Sequence, residues 1–214
     1  IRAADEGVAQ LGAVLAYGPL VAALQQAWEA AVQAEPHRLC TRFGTAVSDI
    51  LPLPSGVEVD AGIAEPFDLA VVAEGGVFAE QARKALTHDY RQTAWVGTAS
   101  LADAPRGMAF ERFTRNGPVA LLPLPEADDG GARAALVWCV PSDDDPVRDL
   151  DEAQRLALLA TIVPPEAGRL LALTPLKAFP LGLNAERSLV QGRTVRIGNA
   201  AQTLHPVAGQ GLDR

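Results

Sequence analysis

Cysteine and histidine are scarce in this chain of 214 residues, and their placement excludes whole classes of protein. Cys40 and Cys139 lie far apart with no metal-like neighbours, so neither a disulfide framework nor a zinc module can be built from them. A reduced, intracellular setting is expected, with both thiols buried as small apolar groups. His37, His88 and His205 offer no ligand spacing, so no structural metal is expected. Basic charge is also short: 18 Lys and Arg against 26 Asp and Glu leave a net charge of −8. That balance argues against nucleic-acid binding and against electrostatic attachment to anionic lipid. No apolar run reaches the roughly 18 residues of a membrane span. Paired catalytic carboxylates, a nucleophile with its base, and a phosphate-binding P-loop pattern are all missing, as are internal repeats. The chain opens on Ile1-Arg2-Ala3-Ala4-Asp5-Glu6, which is neither an initiator methionine nor a signal peptide.

What is present is an apolar content of 49%, ample for a packed core. Leu20, Leu24, Trp28 and Val32 recur at four-residue intervals, which predicts a helix with one apolar stripe packed on a sheet. Pro19 suits its first turn and Glu35-Pro36 its end. Short strands are predicted over 38–43, 46–51 and 57–60, with a turn at 52–56. Residues 67–73 form a continuous apolar run of strand length, expected to be covered on both faces. A helix is predicted over 77–86, with His88-Asp89 as its exit. Strands follow at 92–99, 108–114, 119–124 and 132–140, with a hairpin turn at Asn116-Gly117-Pro118. The acidic run Asp143 to Asp145 reads as a solvated loop. A helix is expected over 149–162, with Asp149 and Glu152 as a capping pair and Pro164-Pro165 as its stop. A last strand of this region spans 176–183.

The stretch that gives the chain its direction comes at the end. Residues 194–197 form a β-branched run typical of a buried strand. Gly198-Asn199 breaks it, and the Pro- and Gly-rich segment 203–211 follows without helical or strand periodicity. Such a strand-to-loop passage brings backbone close to something outside the protein, and the small residues around it leave room for a flat or phosphorylated ligand.

The segments Ile197-Gly198-Asn199-Ala200-Ala201 and Leu204-His205-Pro206-Val207-Ala208-Gly209-Gln210-Gly211 resemble the second flavin motif of the aromatic-ring hydroxylases. These are the para-hydroxybenzoate hydroxylase fold group, and the resemblance is strongest to its ubiquinone-biosynthesis hydroxylases. Two further blocks resemble the same family in the same order and spacing: residues 89–94, and 110–114 running through 117–124. The resemblance covers about residues 1–214. It implies an α/β (α+β) fold, a remnant of an FAD domain over 1–86 and 188–214 and a substrate domain with a mainly antiparallel sheet over 87–187.

The family's opening strand with Gly-x-Gly-x-x-Gly, which holds the adenine-side phosphates, has no counterpart here. The chain accordingly reads as a piece of a longer enzyme, expected to be inactive and colourless by itself. The resemblance implies FAD as cofactor, NAD(P)H as co-substrate, and an aromatic or polyprenyl substrate. It also implies a cytoplasmic enzyme peripheral to the inner membrane or held in a multi-enzyme assembly. It places Gly198 and Asn199 at the ribityl chain, where an amide both donates to and accepts from hydroxyls. It places His205 and Pro206 in a rigid turn near the flavin ring, and the N–H groups of Gly209, Gln210 and Gly211 toward that ring. Glu74-Gly75 stands where the family has an Asp-Gly pair. Glu74 is one methylene longer, and either a cofactor contact or an ordinary strand-end carboxylate suits it. Phe110 and Leu122 suit either an aromatic substrate contact or core packing. Gln202 replaces a histidine of near relatives and is assigned no role. The competing reading is a non-catalytic relative acting as a binding or assembly subunit.

Overall fold

A computed structural model describes residues 1–74, 86–127, 130–203 and 205–206. The chain divides into two compact units, one of 1–40 with 93–179 and one of 41–92 with 180–214.

The first unit is built on an antiparallel sheet. Strand β5 (Leu86–Ala102) enters it at Thr93, and β6 (Phe110–Thr114), β7 (Gly117–Leu124), β8 (Ala132–Pro141) and β9 (Arg169–Leu173) complete it in the order β9-β5-β8-β7-β6. Register follows the pleat. Val119 pairs with Trp138 and Leu121 with Leu136, so that one face carries the apolar residues of both strands. Val119 and Leu136 are fully buried and Trp138 nearly so. Each such side chain contributes about 1.5–3 kcal/mol through apolar area removed from water. Helix α2 (Glu152–Ile162) adds Leu159 to this core, and Val163 and Ala167 follow it.

At the β6–β7 hairpin Gly117 is required twice over. Its φ is +128°, and a Cβ there would run into the Cys139 carbonyl. The cap of α2 lies two residues later than expected. Asp151, not Asp149, accepts from the Gln154 N–H at 2.8 Å, and the Gln154 side chain accepts from the Asp151 N–H at 3.0 Å.

Helix α1 (Tyr17–Ala34) forms as its spacing predicts and ends at Glu35. Its stripe, however, is only partly covered: no residue of α1 is buried, Leu20 and Val32 are half-buried, and Leu24 and Trp28 are exposed. Helical spacing sets where the apolar residues point, while burial needs a facing surface.

The second unit holds two small sheets. Strands β1 (Asp49–Pro52), β2 (Val57–Asp60) and β3 (Ala64–Phe67) form an antiparallel meander. Strands β4 (Ala70–Val72), β11 (Val190–Gln191) and β12 (Thr194–Arg196) form the other, in the order β11-β12-β4. Strand β10 (Lys177–Ala185) reaches this unit from residue 180 and pairs with β13 (Gln202–Thr203).

Several expectations fail here. Residues 38–43 form no strand, and Cys40 is exposed while Cys139 is buried. The apolar run 67–73 is not one strand covered on both faces. It breaks at Asp68-Leu69, and Leu69 and Val71 are exposed. His88 and Asp89 lie inside β5 rather than at a helix exit. The helix expected over 77–86 falls outside the described residues except for Leu86, which opens β5.

Candidate functional site

Strand β12 runs parallel to β4, with Thr194 opposite Ala70, Val195 opposite Val71 and Arg196 opposite Val72. Backbone bonds extend the ladder at both ends: Ala70 N–H donates to the Arg193 carbonyl at 2.9 Å and Ile197 N–H to the Val72 carbonyl at 3.0 Å. Both strands therefore end at the same edge. Ala73-Glu74 leaves β4 there, and Gly198-Asn199 leaves β12 one residue after Ile197. The carboxyl ends of adjacent parallel strands are where open α/β sheets bind ligands, because the chains turn away and leave a crevice of backbone groups.

Gly198, Asn199 and Ala200 form a 3-10 turn, closed by Ala201 N–H donating to the Gly198 carbonyl at 3.0 Å. Gly198 adopts φ +57°, in the left-handed region. A Cβ built on it would meet no atom of the described residues within 4 Å, so the space before it is open among them. Asn199 is half-buried and Glu74 exposed. The strand ladder thus brings Glu74, Gly198 and Asn199 to one edge, and the open side of Gly198 fits a flat or polyol group approaching the backbone.

Ala201 is buried, and its carbonyl accepts from Glu186 N–H at 3.0 Å. The chain then pairs briefly through β13 with Asn184 and Ala185 of β10. His205 follows, half-buried, and its Nε2 lies 2.8 Å from Gln92 Oε1. Its ring packs edge-on to Tyr90 with centroids 5.2 Å apart, and Tyr90 packs in the same way on His88. Burial lowers the His205 pKa below its ordinary value, so the neutral ring is favoured near pH 7. Pro206 is exposed. Gly75, Gly209, Gln210 and Gly211 lie outside the described residues.

Two residues around His205 were not singled out in the sequence, Tyr90 and Gln92, whose signal was present only as part of the block 89–94; His88 was read only as a helix exit. Asp145 was also missed. Its side chain is 2% exposed, and it accepts from Val147 N–H at 2.8 Å, Arg148 N–H at 3.1 Å and Trp95 Nε1–H at 3.1 Å. An acid at the end of an acidic run reads as solvated. Here it is the bonded centre of a loop, with the Arg155 guanidinium stacked 4.6 Å from the Trp95 ring.

A separate cavity of about 240 Å3 sits in the first unit, lined by Leu101, Met108, Phe110, Leu121 and Pro123 among others. Phe110 thus faces a cavity, whereas Leu122 is not among its lining residues.

Known proteins resemble this chain in fold and in sequence. Solved structures of similar fold include CmlS, a flavin-dependent halogenase, with a TM-score of 0.57 at 18% identity, covering 85% of this chain and 35% of that one. PqsL, a probable FAD-dependent monooxygenase from Pseudomonas aeruginosa, matches with a TM-score of 0.56 at 20% identity, covering 78% and 49%. These share the fold. In sequence, ubiquinone hydroxylase UbiL of Rhodospirillum rubrum is 36% identical over 128 residues, 59% of this chain and 29% of that protein. The 3-demethoxyubiquinol 3-hydroxylase of Escherichia coli is 34% identical over 128 residues, 58% and 30%. By sequence the chain is similar to the ubiquinone-pathway hydroxylases. Human ubiquinone biosynthesis monooxygenase COQ6 extends the likeness, at 29% identity over 161 residues, 58% of this chain and 33% of that protein. The chain spans about a quarter to a third of the length of the curated relatives it matches. No family model matches it. The fold expectation, a mixed α/β chain with mainly antiparallel sheets of the FAD-monooxygenase kind, agrees with these structures.

Proposed function

We infer that this chain is the flavin-side and substrate-side portion of an FAD-dependent monooxygenase that hydroxylates an aromatic ring, a polyprenyl phenol of ubiquinone biosynthesis, with NAD(P)H and dioxygen. The observation that carries this reading is the shared carboxyl edge of β4 and β12, where Glu74 and the open Gly198-Asn199 turn stand together. Relatives named as ubiquinone-pathway hydroxylases support the substrate class.

Bound FAD supplies the oxygen chemistry, and the protein's part is to hold and orient it. Gly198 lets the backbone approach the ligand. Asn199 carries both a donor and an acceptor for ribityl hydroxyls. His205 and Pro206 begin the loop that Gly209, Gln210 and Gly211 continue in sequence, and their backbone N–H groups suit an electron-rich ring. Glu74 suits a hydroxyl donor rather than a phosphate, since two negative groups side by side repel. Residues 1–86 with 188–214 take the FAD role and 87–187 the substrate role. Among the described residues no helix is long and apolar enough to cross a membrane. The apolar substrate supports work at a membrane periphery or inside a multi-enzyme assembly.

The test uses the chain itself. The residues assigned here contact the flavin half, and the sequence carries no Gly-x-Gly-x-x-Gly for the adenosine half. Calorimetric titration should show FMN binding comparably to FAD, both weakly, with adenosine diphosphate not competing. Equal competition by adenosine diphosphate, or no flavin binding at millimolar concentration, contradicts the reading.

A further inference from the structure

The sheet face that carries the core of the first unit is filled unevenly. Where Val119, Leu136 and Trp138 share a cluster with Leu159 of α2, the side chains are large and buried. Nearer one end of the same face, Phe110 stands opposite Leu121 and Pro123 opposite Ala134 across the strand pairs. Ala134 and Ala167 bring only methyl groups to this end. Leu121, Ala134 and Ala167 are buried, yet among the described residues they line the cavity of about 240 Å3. Close-packed interiors hold few voids larger than a water molecule, and an apolar void stays dry and takes apolar guests. A cavity of about 150 Å3 holds benzene, so the larger volume here suits an aliphatic chain of about eight carbons.

The mouth of this cavity is polar. Arg106, Glu126 and Arg133 line it. Arg106 Nη2 lies 2.7 Å from Glu126 Oε1, an exposed pair that engages one nitrogen of the guanidinium and leaves others to donate. Arg133 donates from Nε and Nη2 to the Pro125 carbonyl at 3.1 and 3.0 Å, which fixes the lip that follows β7. Met108, exposed on the loop between β5 and β6, gives the rim a flexible apolar side. We propose that this cavity is a binding site for a medium-length aliphatic chain with an oxygen head group, a carboxylate or a hydroxyl. The chain lies against Phe110, Leu121 and Ala134, and the head accepts from Arg106. The site belongs to the first unit alone and does not rest on the flavin reading.

Met108 is the one methionine of the sequence, so a carbon-13 methyl label reports on the cavity through a single NMR signal of the full chain. Sodium octanoate should shift that signal saturably, with half-saturation at about millimolar concentration, and 1-octanol should compete with it. Octylammonium carries the same chain, but its head repels Arg106 and Arg133, so it should bind at least about fivefold more weakly than octanoate. Ala134→Leu and Ala167→Leu each put bulk into the cavity and should weaken octanoate at least about tenfold. The amide spectrum reports whether each variant is folded, and Ala167→Leu, outside the sheet, decides the matter if Ala134→Leu unfolds. Arg106→Gln separates the two heads. A loss of about fivefold for octanoate, with octanol unchanged, assigns a carboxylate, and a loss for octanol alone assigns a hydroxyl. An Arg106→Gln chain that binds both as the wild type does, or octylammonium binding as tightly as octanoate, overturns the head assignment. No saturable shift with either ligand below about 10 mM, or folded cavity-filling variants that bind octanoate unchanged, overturns the site.

Discussion

Ile197 donates its backbone N–H to the carbonyl of Val72 at 3.0 Å, and this bond closes the parallel ladder just before both strands turn away. Glu74 and Gly198 thereby leave the sheet at one edge, although most of the chain separates them in sequence.

Gly198→Ala tests whether that edge is shaped by backbone conformation rather than by crowding. With φ +57° and no atom of the described residues within 4 Å of the new methyl, the substitution should cost about 1 kcal/mol through strain alone. Urea unfolding should show that modest loss with an unchanged slope, whereas a loss above about 3 kcal/mol would reveal a clash that the geometry does not contain.

Asp145→Ala should be far more damaging. It removes an almost fully buried carboxylate and strands the Val147, Arg148 and Trp95 donors together. A loss of about 2–4 kcal/mol is expected, with the tryptophan fluorescence shifted as the Trp95 indole loses its partner. Less than about 1 kcal/mol would mean that water replaces the carboxylate without cost.

The two cysteines should behave oppositely. Burial first, and the nearby Glu111 carboxylate second, push the Cys139 thiol up to about 11, while Cys40 is exposed. A thiol reagent at pH 8 should label Cys40 rapidly and Cys139 only on unfolding. A folded pKa above the unfolded one means that the unfolded chain loses its proton first as pH rises. Stability should therefore fall between about pH 9 and pH 11, by about 2–3 kcal/mol. Cys139→Ala should remove that alkaline loss, and a variant that keeps it would place the cause elsewhere.

The parts of this structure legible from sequence are those written in local pattern. The β-branched run before Gly198 predicts β12, and apolar runs bounded by Gly, Pro and Asp predict β6, β7 and β8 within a few residues. Helix α1 is legible as a stripe, but what faces the stripe is not, since spacing carries no information about a partner. Asp145 is illegible because its partner Trp95 sits far away in sequence, and a run of three acids looks solvated until an indole N–H points into it. His205 and Gln92 are farther apart still. The 17 residues of β5 hide a strand start in polar sequence, which is why His88 and Asp89 suggested a helix exit. Glu74 joins Gly198 only through the parallel register, which no local pattern reveals.

The central claim, that the edge of β4 and β12 faces a flavin, is tested most directly by mapping FMN-induced amide shifts across the labelled chain. The account predicts shifts concentrated at Glu74, Gly198, Asn199 and His205. With Asn199→Leu the affinity should weaken by roughly tenfold, as expected for losing one or two hydrogen bonds of about 0.5–1.5 kcal/mol each. Shifts that leave Gly198 and Asn199 untouched, or an affinity indifferent to Asn199→Leu, would contradict it.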